Sequence, residues 1–150
     1  MTIFVRAVKS NELDWANQQY HSIDFVPTDS CDRQFIAEIE SQRVGLGRLV
    51  HITDQIWELG GIYVLPEWRG RSVAREIVKY LLQQAGNVHL YCLPFTNLGR
   101  FYQEMGFVKC FNSSTVPEKI KQKYQWCQET YSQGVLLLEI PQSFNNIALK

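Results

Sequence analysis

The chain has 150 residues and 17.5 kDa, 45% of them hydrophobic and 20% charged, the profile of one ordinary globular domain spanning residues 1–150. Fifteen Lys and Arg balance fifteen Asp and Glu, so a formal net charge of zero offers no global attraction to nucleic acid or to an anionic membrane surface. No apolar run approaches the ~20 residues a bilayer span needs, and Met1–Arg6 lacks a basic region followed by an apolar one, so a soluble, cytoplasmic protein is expected.

In chain order, Ile3–Val8 reads as a short strand. Ser10 or Asn11 then offers a cap for a helix to about Ile23, with Leu13, Ala16, Tyr20 and Ile23 as its apolar stripe. Asp24–Asp32 is rich in turn formers and reads as a loop, placed to form the lip of a site. Phe35–Ile39 and Val44–Val50 alternate as two strands of a hairpin, turning at Ser41-Gln42-Arg43. A second turn at Thr53-Asp54-Gln55 leads to a third run, Ile56–Leu65, where Gly60-Gly61 marks a bulge. After Pro66 and a turn, Val73, Ile77, Tyr80, Leu81 and Ala85 recur at helical steps until Gly86. Val88–Leu93 is a strand, Leu98–Met105 a short helix closed by Gly106, and Phe107–Phe111 a strand. Pro117–Tyr131 is a lysine-rich helix, and Val135–Ile140 a last strand. A helix crossover after an antiparallel meander makes the middle of the sheet partly parallel. The expected class is α+β, with a mixed, mostly antiparallel sheet of about six to seven strands flanked by helices.

Chemistry concentrates at Val64–Ala74, a strand, a glycine-containing turn and a helix start. Such a turn leaves backbone N–H groups aimed along the positive end of the helix dipole, an arrangement that binds phosphate, and Arg69, Arg71, Arg75 and Lys79 add positive charge. On spacing alone, a tight turn beside a solvated arginine face explains the segment equally well. Neither G-x-x-x-x-G-K-[ST] nor G-x-G-x-x-G after a strand is present, which removes support for a nucleoside triphosphatase or a dinucleotide-dependent oxidoreductase.

Arg69-Gly70-Arg71-Ser72-Val73-Ala74 resembles the [Q/R]-x-x-G-x-[G/A] signature of the GNAT superfamily of acetyl-CoA-dependent N-acetyltransferases, with Ser72 at the central glycine. Glu58–Trp68 resembles the strand that leads into that loop, and Phe101-Tyr102-Gln103-Glu104-Met105-Gly106-Phe107 the family's F-Y-x-x-x-G-F segment. The resemblance implies a splay between the fourth and fifth strands. It assigns the backbone of Ile62, Tyr63 and Val64 to pantetheine and the thioester of acetyl-CoA, and that of Arg69, Gly70, Arg71, Ser72, Val73 and Ala74 to the pyrophosphate. Asn97 stands near the place where family members carry an asparagine, six residues before the F-Y pair, a position filled here by Phe95.

The activity it implies is direct transfer of acetyl to a primary amine of a small molecule or protein, without an acyl-enzyme. An alkyl amine of pKa about 10.4 is neutral only about one part in a thousand near pH 7.4, so a base or a desolvating pocket must supply the nucleophile. Glu58, six residues before Val64, is the candidate base, and Tyr102 the candidate acid or hydrogen-bond donor to the leaving thiolate. A different reading is a non-catalytic CoA-binding or protein-interaction domain of the same fold, for which Ser72 is the main argument.

His89 is a reserve base. The histidines and the four cysteines, which lack a C-x-x-C pair, suggest no metal site and read as side chains of ordinary packing, the thiols reduced and mostly buried. Lys119, Lys121 and Lys123 read as a solvated helix face. Trp15, Tyr20, Phe25 and the acids Asp24, Asp29 and Asp32 border the amine site by resemblance, where acidic groups attract a cation. No nucleic acid or membrane is expected as a partner, and the resemblance allows a homodimer.

Overall fold

A computed structural model describes residues 2–26 and 28–143. Met1, Pro27 of the expected Asp24–Asp32 loop, and residues 144–150 lie outside them.

Seven strands form one mixed sheet in the order β1-β2-β3-β4-β5-β7-β6, with β1 Ile3–Ala7, β2 Arg33–Ile39, β3 Gln42–Thr53, β4 Ile56–Val64, β5 His89–Cys92, β6 Val108–Lys109 and β7 Leu138–Ile140. The helices are α1 Leu13–Ser22, α2 Val73–Ala85, α3 Gly99–Glu104 and α4 Glu118–Thr130. Pairing is antiparallel for β1–β2, β2–β3, β5–β7 and β6–β7. It is parallel for β4–β5, where the register runs only from Ile56↔His89 to Glu58↔Tyr91. This is the expected mixed α+β sheet, with its parallel step after the crossover helix.

The chain divides into two compact units, one built from Leu59–Gly86 with the chain up to His51, the other from Ile52–Glu58 with the chain from Asn87 onward. In the first unit, α1 buries Ala16 and Tyr20 against Ile36 and Leu46, with Trp15, Ile23 and Phe25 around them. The expected stripe therefore holds at its centre, while Leu13 at the helix start is 42% exposed. Helix α2 buries Val73, Ile77, Val78 and Leu81. It lies close on β3 because two strand positions carry no Cβ: one added to Gly47 would stand 2.6 Å from Ile77 Cγ2, and one at Gly45 2.9 Å from Ile77 Cδ1. A side chain at Gly47 would collide with the branched Cγ2 of Ile77 and force the packing of α2 on β3 to shift.

The β2–β3 turn falls at Glu40 and Ser41, both at positive φ (50° and 66°), one residue earlier than Ser41-Gln42-Arg43 suggests. A two-residue hairpin favours left-handed backbone, and neither residue is the glycine or asparagine that advertises it. Gly61 takes φ +60°, and a register shift lies between Ala37 and Glu38, where β2 pairs with β3.

In the second unit, Tyr91, Val116 and Ile120 form a core closed by Ile52, Ile56, Cys110 and Leu137. All four cysteines are free, but only Cys92 and Cys127 are buried, and Cys31 in the first unit is exposed on its loop.

Candidate active site

In the first unit, β4 delivers Ile62, Tyr63 and Val64, all partly buried, to the turn that starts α2. Arg69 folds back so that its Nε donates to the Val64 carbonyl at 3.0 Å, and its guanidinium lies 5.7 Å from the Tyr63 ring centroid. Arg71 lies over Trp68 at 5.0 Å. Gly70 takes φ +78°, and no atom lies within 4 Å of where its Cβ would stand, so the backbone there is open to approach. Ser72 takes φ 66°, ψ 19° at the N-cap of α2 and makes no side-chain cap; its carbonyl accepts the Glu76 N–H at 3.2 Å. The first-turn N–H groups of Val73, Ala74 and Arg75 precede the first intrahelical bond, at the positive end of a helix of 13 residues. This array fits a pyrophosphate: donors in sequence, an open glycine, and arginines on both sides.

In the second unit, Glu58 is 3% exposed on β4, and both its oxygens accept from Lys123 Nζ at 2.9 Å. Lys123 comes from α4, whose buried residues Ile120 and Cys127 flank it at helical spacing. Thus Lys123 is not on the solvated face expected for it. The signal that finds it is this i−3, i+4 placement, in a helix where the three lysines otherwise look alike.

Tyr102 on α3 is 5% exposed and edge-on to Phe101 and Phe107, at 4.9 and 5.9 Å between ring centroids. Burial pushes its phenol well above the usual value, with the charge of Cys92 as the second cause. Cys92 is itself buried, and burial first, then the Glu58 carboxylate, pushes its thiol well above the ordinary range. A thiol so raised is core and not a nucleophile. Asn97 is exposed in the short 3-10 turn Thr96–Leu98. His89 stacks on Tyr91 at 4.5 Å, and its Nε2 is 2.8 Å from Glu139 Oε1.

Among the described residues, no group of His, Cys, Asp and Glu could hold a metal ion, and no helix is long and apolar enough to cross a membrane. Glu58 and Tyr102 fall in the second unit, and Leu59–Val64 of β4 with the turn into α2 in the first.

A family model described as an acetyltransferase (GNAT) domain matches residues 31–109, a little over half of the chain. The chain belongs to the GNAT acetyltransferases. The GNAT match ends before α4, so Lys123 lies beyond the part that the family pattern covers. No curated protein matches the chain significantly.

Among solved structures, the chain is similar to N-acetylglutamate synthase from Neisseria gonorrhoeae complexed with coenzyme A and L-arginine. The two share 16% identity with a TM-score of 0.67, over 90% of this chain and 32% of that one, so this chain spans about a third of the synthase. It is similar to Rv2747 from Mycobacterium tuberculosis in complex with CoA, at 16% identity and TM-score 0.67, over 93% and 99% of the two chains. It is also similar to mutant forms of the spermidine/spermine N-acetyltransferase SpeG from Vibrio cholerae, at 18% identity and TM-score 0.64, over 99% and 100%. Identities this low establish a shared fold. As a member of that family the chain carries a GNAT acetyltransferase domain.

Proposed function

We propose that residues 1–150 act as one cytoplasmic N-acetyltransferase domain that moves acetyl from acetyl-CoA to a primary amine by direct attack. The observation that carries this reading is the uncapped start of α2, where Gly70 and Ser72 both take positive φ and leave a run of N–H donors. Arg69, Gly70, Arg71, Ser72, Val73 and Ala74 hold the pyrophosphate, Ile62, Tyr63 and Val64 the pantetheine arm, and Asn97 serves as a further cofactor contact.

The amine nitrogen bonds to the acetyl carbon as the carbon–sulfur bond breaks. Glu58, directly or through water, takes the proton that the nitrogen sheds. Tyr102 donates a hydrogen bond to the departing sulfur; a buried phenol keeps its proton at every physiological pH, which suits donation better than full transfer. For Glu58 to accept a proton, one oxygen must be released by Lys123 or reached by water. That bidentate pairing favours the second reading, a GNAT fold that binds CoA or a partner protein without catalysis. A homodimer is part of the proposal on family grounds only.

Calorimetric titration with CoA and acetyl-CoA, followed by an amine-panel assay for released CoA, tests both readings. Transfer predicts saturable CoA binding, turnover, and a loss of about 100-fold in kcat for Glu58→Gln, with a smaller kcat loss and little change in acetyl-CoA affinity for Tyr102→Phe. CoA binding without turnover selects the second reading, and full activity of Glu58→Gln removes Glu58 from the chemistry.

A further inference from the structure

The contact between Glu58 and Lys123 places an amine where the transferase reading requires one. A nitrogen that Glu58 deprotonates directly must come within about 2.6–3.2 Å of a carboxylate oxygen. Lys123 Nζ already stands there, 2.9 Å from each oxygen. It is a primary alkyl amine, the class of acceptor that the same reading assigns. Both residues belong to the second unit, Glu58 on β4 and Lys123 on α4.

Two features set this lysine apart. Glu58 is 3% exposed, so water competes weakly for its oxygens, and two bonds fix a nitrogen that otherwise swings on a four-carbon stem. The Lys123 side chain is nevertheless 31% exposed, so it is not sealed in the core. Lys79 shows the contrast: it reaches Glu76 on the same helix at 3.8 Å, with both side chains exposed to solvent. Lys119 and Lys121 share α4 with Lys123, Lys119 exposed and Lys121 half-buried. An amine held at its base needs no second molecule to be captured, and reactions arranged in this way proceed as if the reactant were far more concentrated than any free solute.

We propose that Lys123 is a site of self-acetylation: the protein transfers the acetyl group of acetyl-CoA to its own Lys123 Nζ, with Glu58 as the base. The inference rests on the transferase reading, in which the acetyl carbon meets a nitrogen on Glu58 whatever molecule carries that nitrogen. One ammonium proton passes to a Glu58 oxygen. The freed lone pair forms the bond to the acetyl carbon, and the carbon–sulfur electron pair leaves with the sulfur. The second nitrogen proton goes to that sulfur, and Glu58 returns the first to water. Lys123 ammonium and acetyl-CoA thus become acetylated Lys123, CoA thiol and one proton. The product nitrogen keeps one N–H and no charge. One Glu58 oxygen loses its donor, which is the release that an outside amine needs before it can use this base.

The test is incubation of the full chain with acetyl-CoA and no added amine, followed by proteolysis and mass spectrometry that reads the acetylated fraction at each lysine over time. Lys123 should be labelled about tenfold or more faster than Lys79, Lys119 and Lys121, at a rate that saturates with acetyl-CoA and is independent of protein concentration, as an intramolecular step requires. In Glu58→Gln the Lys123 rate should fall to that of the other three, whose rates stay where they were. Should that variant unfold, the site preference and its independence of protein concentration in the unaltered chain decide alone. Equal labelling of the four lysines, no labelling, a Lys123 rate that rises in proportion to protein concentration, or undiminished labelling in folded Glu58→Gln overturns the proposal. The amine-panel assay on the same preparation keeps its failure apart from that of the transferase reading. Turnover of an added amine without preferential labelling of Lys123 removes self-acetylation alone, whereas failure to bind CoA removes both.

Discussion

Ser72 stands where the family signature carries glycine, and it takes the left-handed backbone that glycine takes so easily. An L side chain in that region costs about 1 kcal/mol, which neighbouring structure must offset. Ser72→Gly is therefore expected to raise stability in urea by up to about 1 kcal/mol. Ser72→Val should lower it by at least as much, because a β-branched side chain is a genuine outlier there. CoA affinity of Ser72→Gly, read by calorimetry, should stay within about threefold, since the donors are already presented. The position of this loop was legible in the sequence from Arg69, Gly70 and Ala74; that a serine adopts the glycine conformation was not, because steric cost shows in composition only as an exception. Lys123 and Arg48 were illegible for another reason. What distinguishes them is a distant partner: Glu58, 65 residues away in the chain, for Lys123, and the Val26 carbonyl and Thr28 Oγ1 for Arg48.

Helix α1 and the strands beside it show how elements are fixed by side chains that no periodicity describes. Neither Ser10 nor Asn11 caps the helical segment; instead Glu12 accepts the Lys9 N–H at 3.0 Å and takes two bonds from Arg6, each 2.8 Å, while Arg6 also reaches Glu38 on β2. The Arg6 hydrogen bonds hold the Glu12 carboxyl well down, at about 2. A carboxyl lowered on folding adds stability that is fully present above its unfolded value near 4.5 and disappears as pH falls through 2. Urea unfolding of the unaltered chain and of Glu12→Gln should thus differ at pH 7 and converge between about pH 4.5 and 2. The meander β2–β4, α2 and α4 were readable from alternation and helical spacing. The later strands are shorter: of Phe107–Phe111 the strand takes Val108–Lys109, with one more bond from the Cys110 N–H to the Leu137 carbonyl at 3.2 Å, after which Phe111 is 89% exposed and Asn112 starts a turn by accepting the Ser114 N–H. Val135 makes a lone bridge to Phe95 ahead of Leu138–Ile140. Hydrophobic runs mark where a strand is possible, but ladder length is set by the partner strand.

Over the whole molecule, the neutral total puts the isoelectric point near 6.8, so self-repulsion is weakest close to neutral pH. Solubility measured by precipitation from pH 5 to 9 should pass through a minimum near 6.8 and rise on either side as net charge of magnitude about 2 or more develops. The balance is also local: arginines surround the open turn at Gly70, whereas the loop before β2 spends Asp29 and Asp32 on backbone N–H groups of its own and of His51 on β3, and takes Arg48 at the Val26 carbonyl. The contact between Glu58 and Lys123 carries a consequence for synthesis. The second unit takes Ile52–Glu58 from one side of α2 and everything after Asn87 from the other. At ribosomal speeds of about 5–20 residues per second, the 65 residues between Glu58 and Lys123 take roughly 3–13 seconds to emerge. Throughout that interval the nascent chain presents Ile52, Ile56 and an uncompensated Glu58 before their partners exist, so this short segment is the one a chaperone would find waiting.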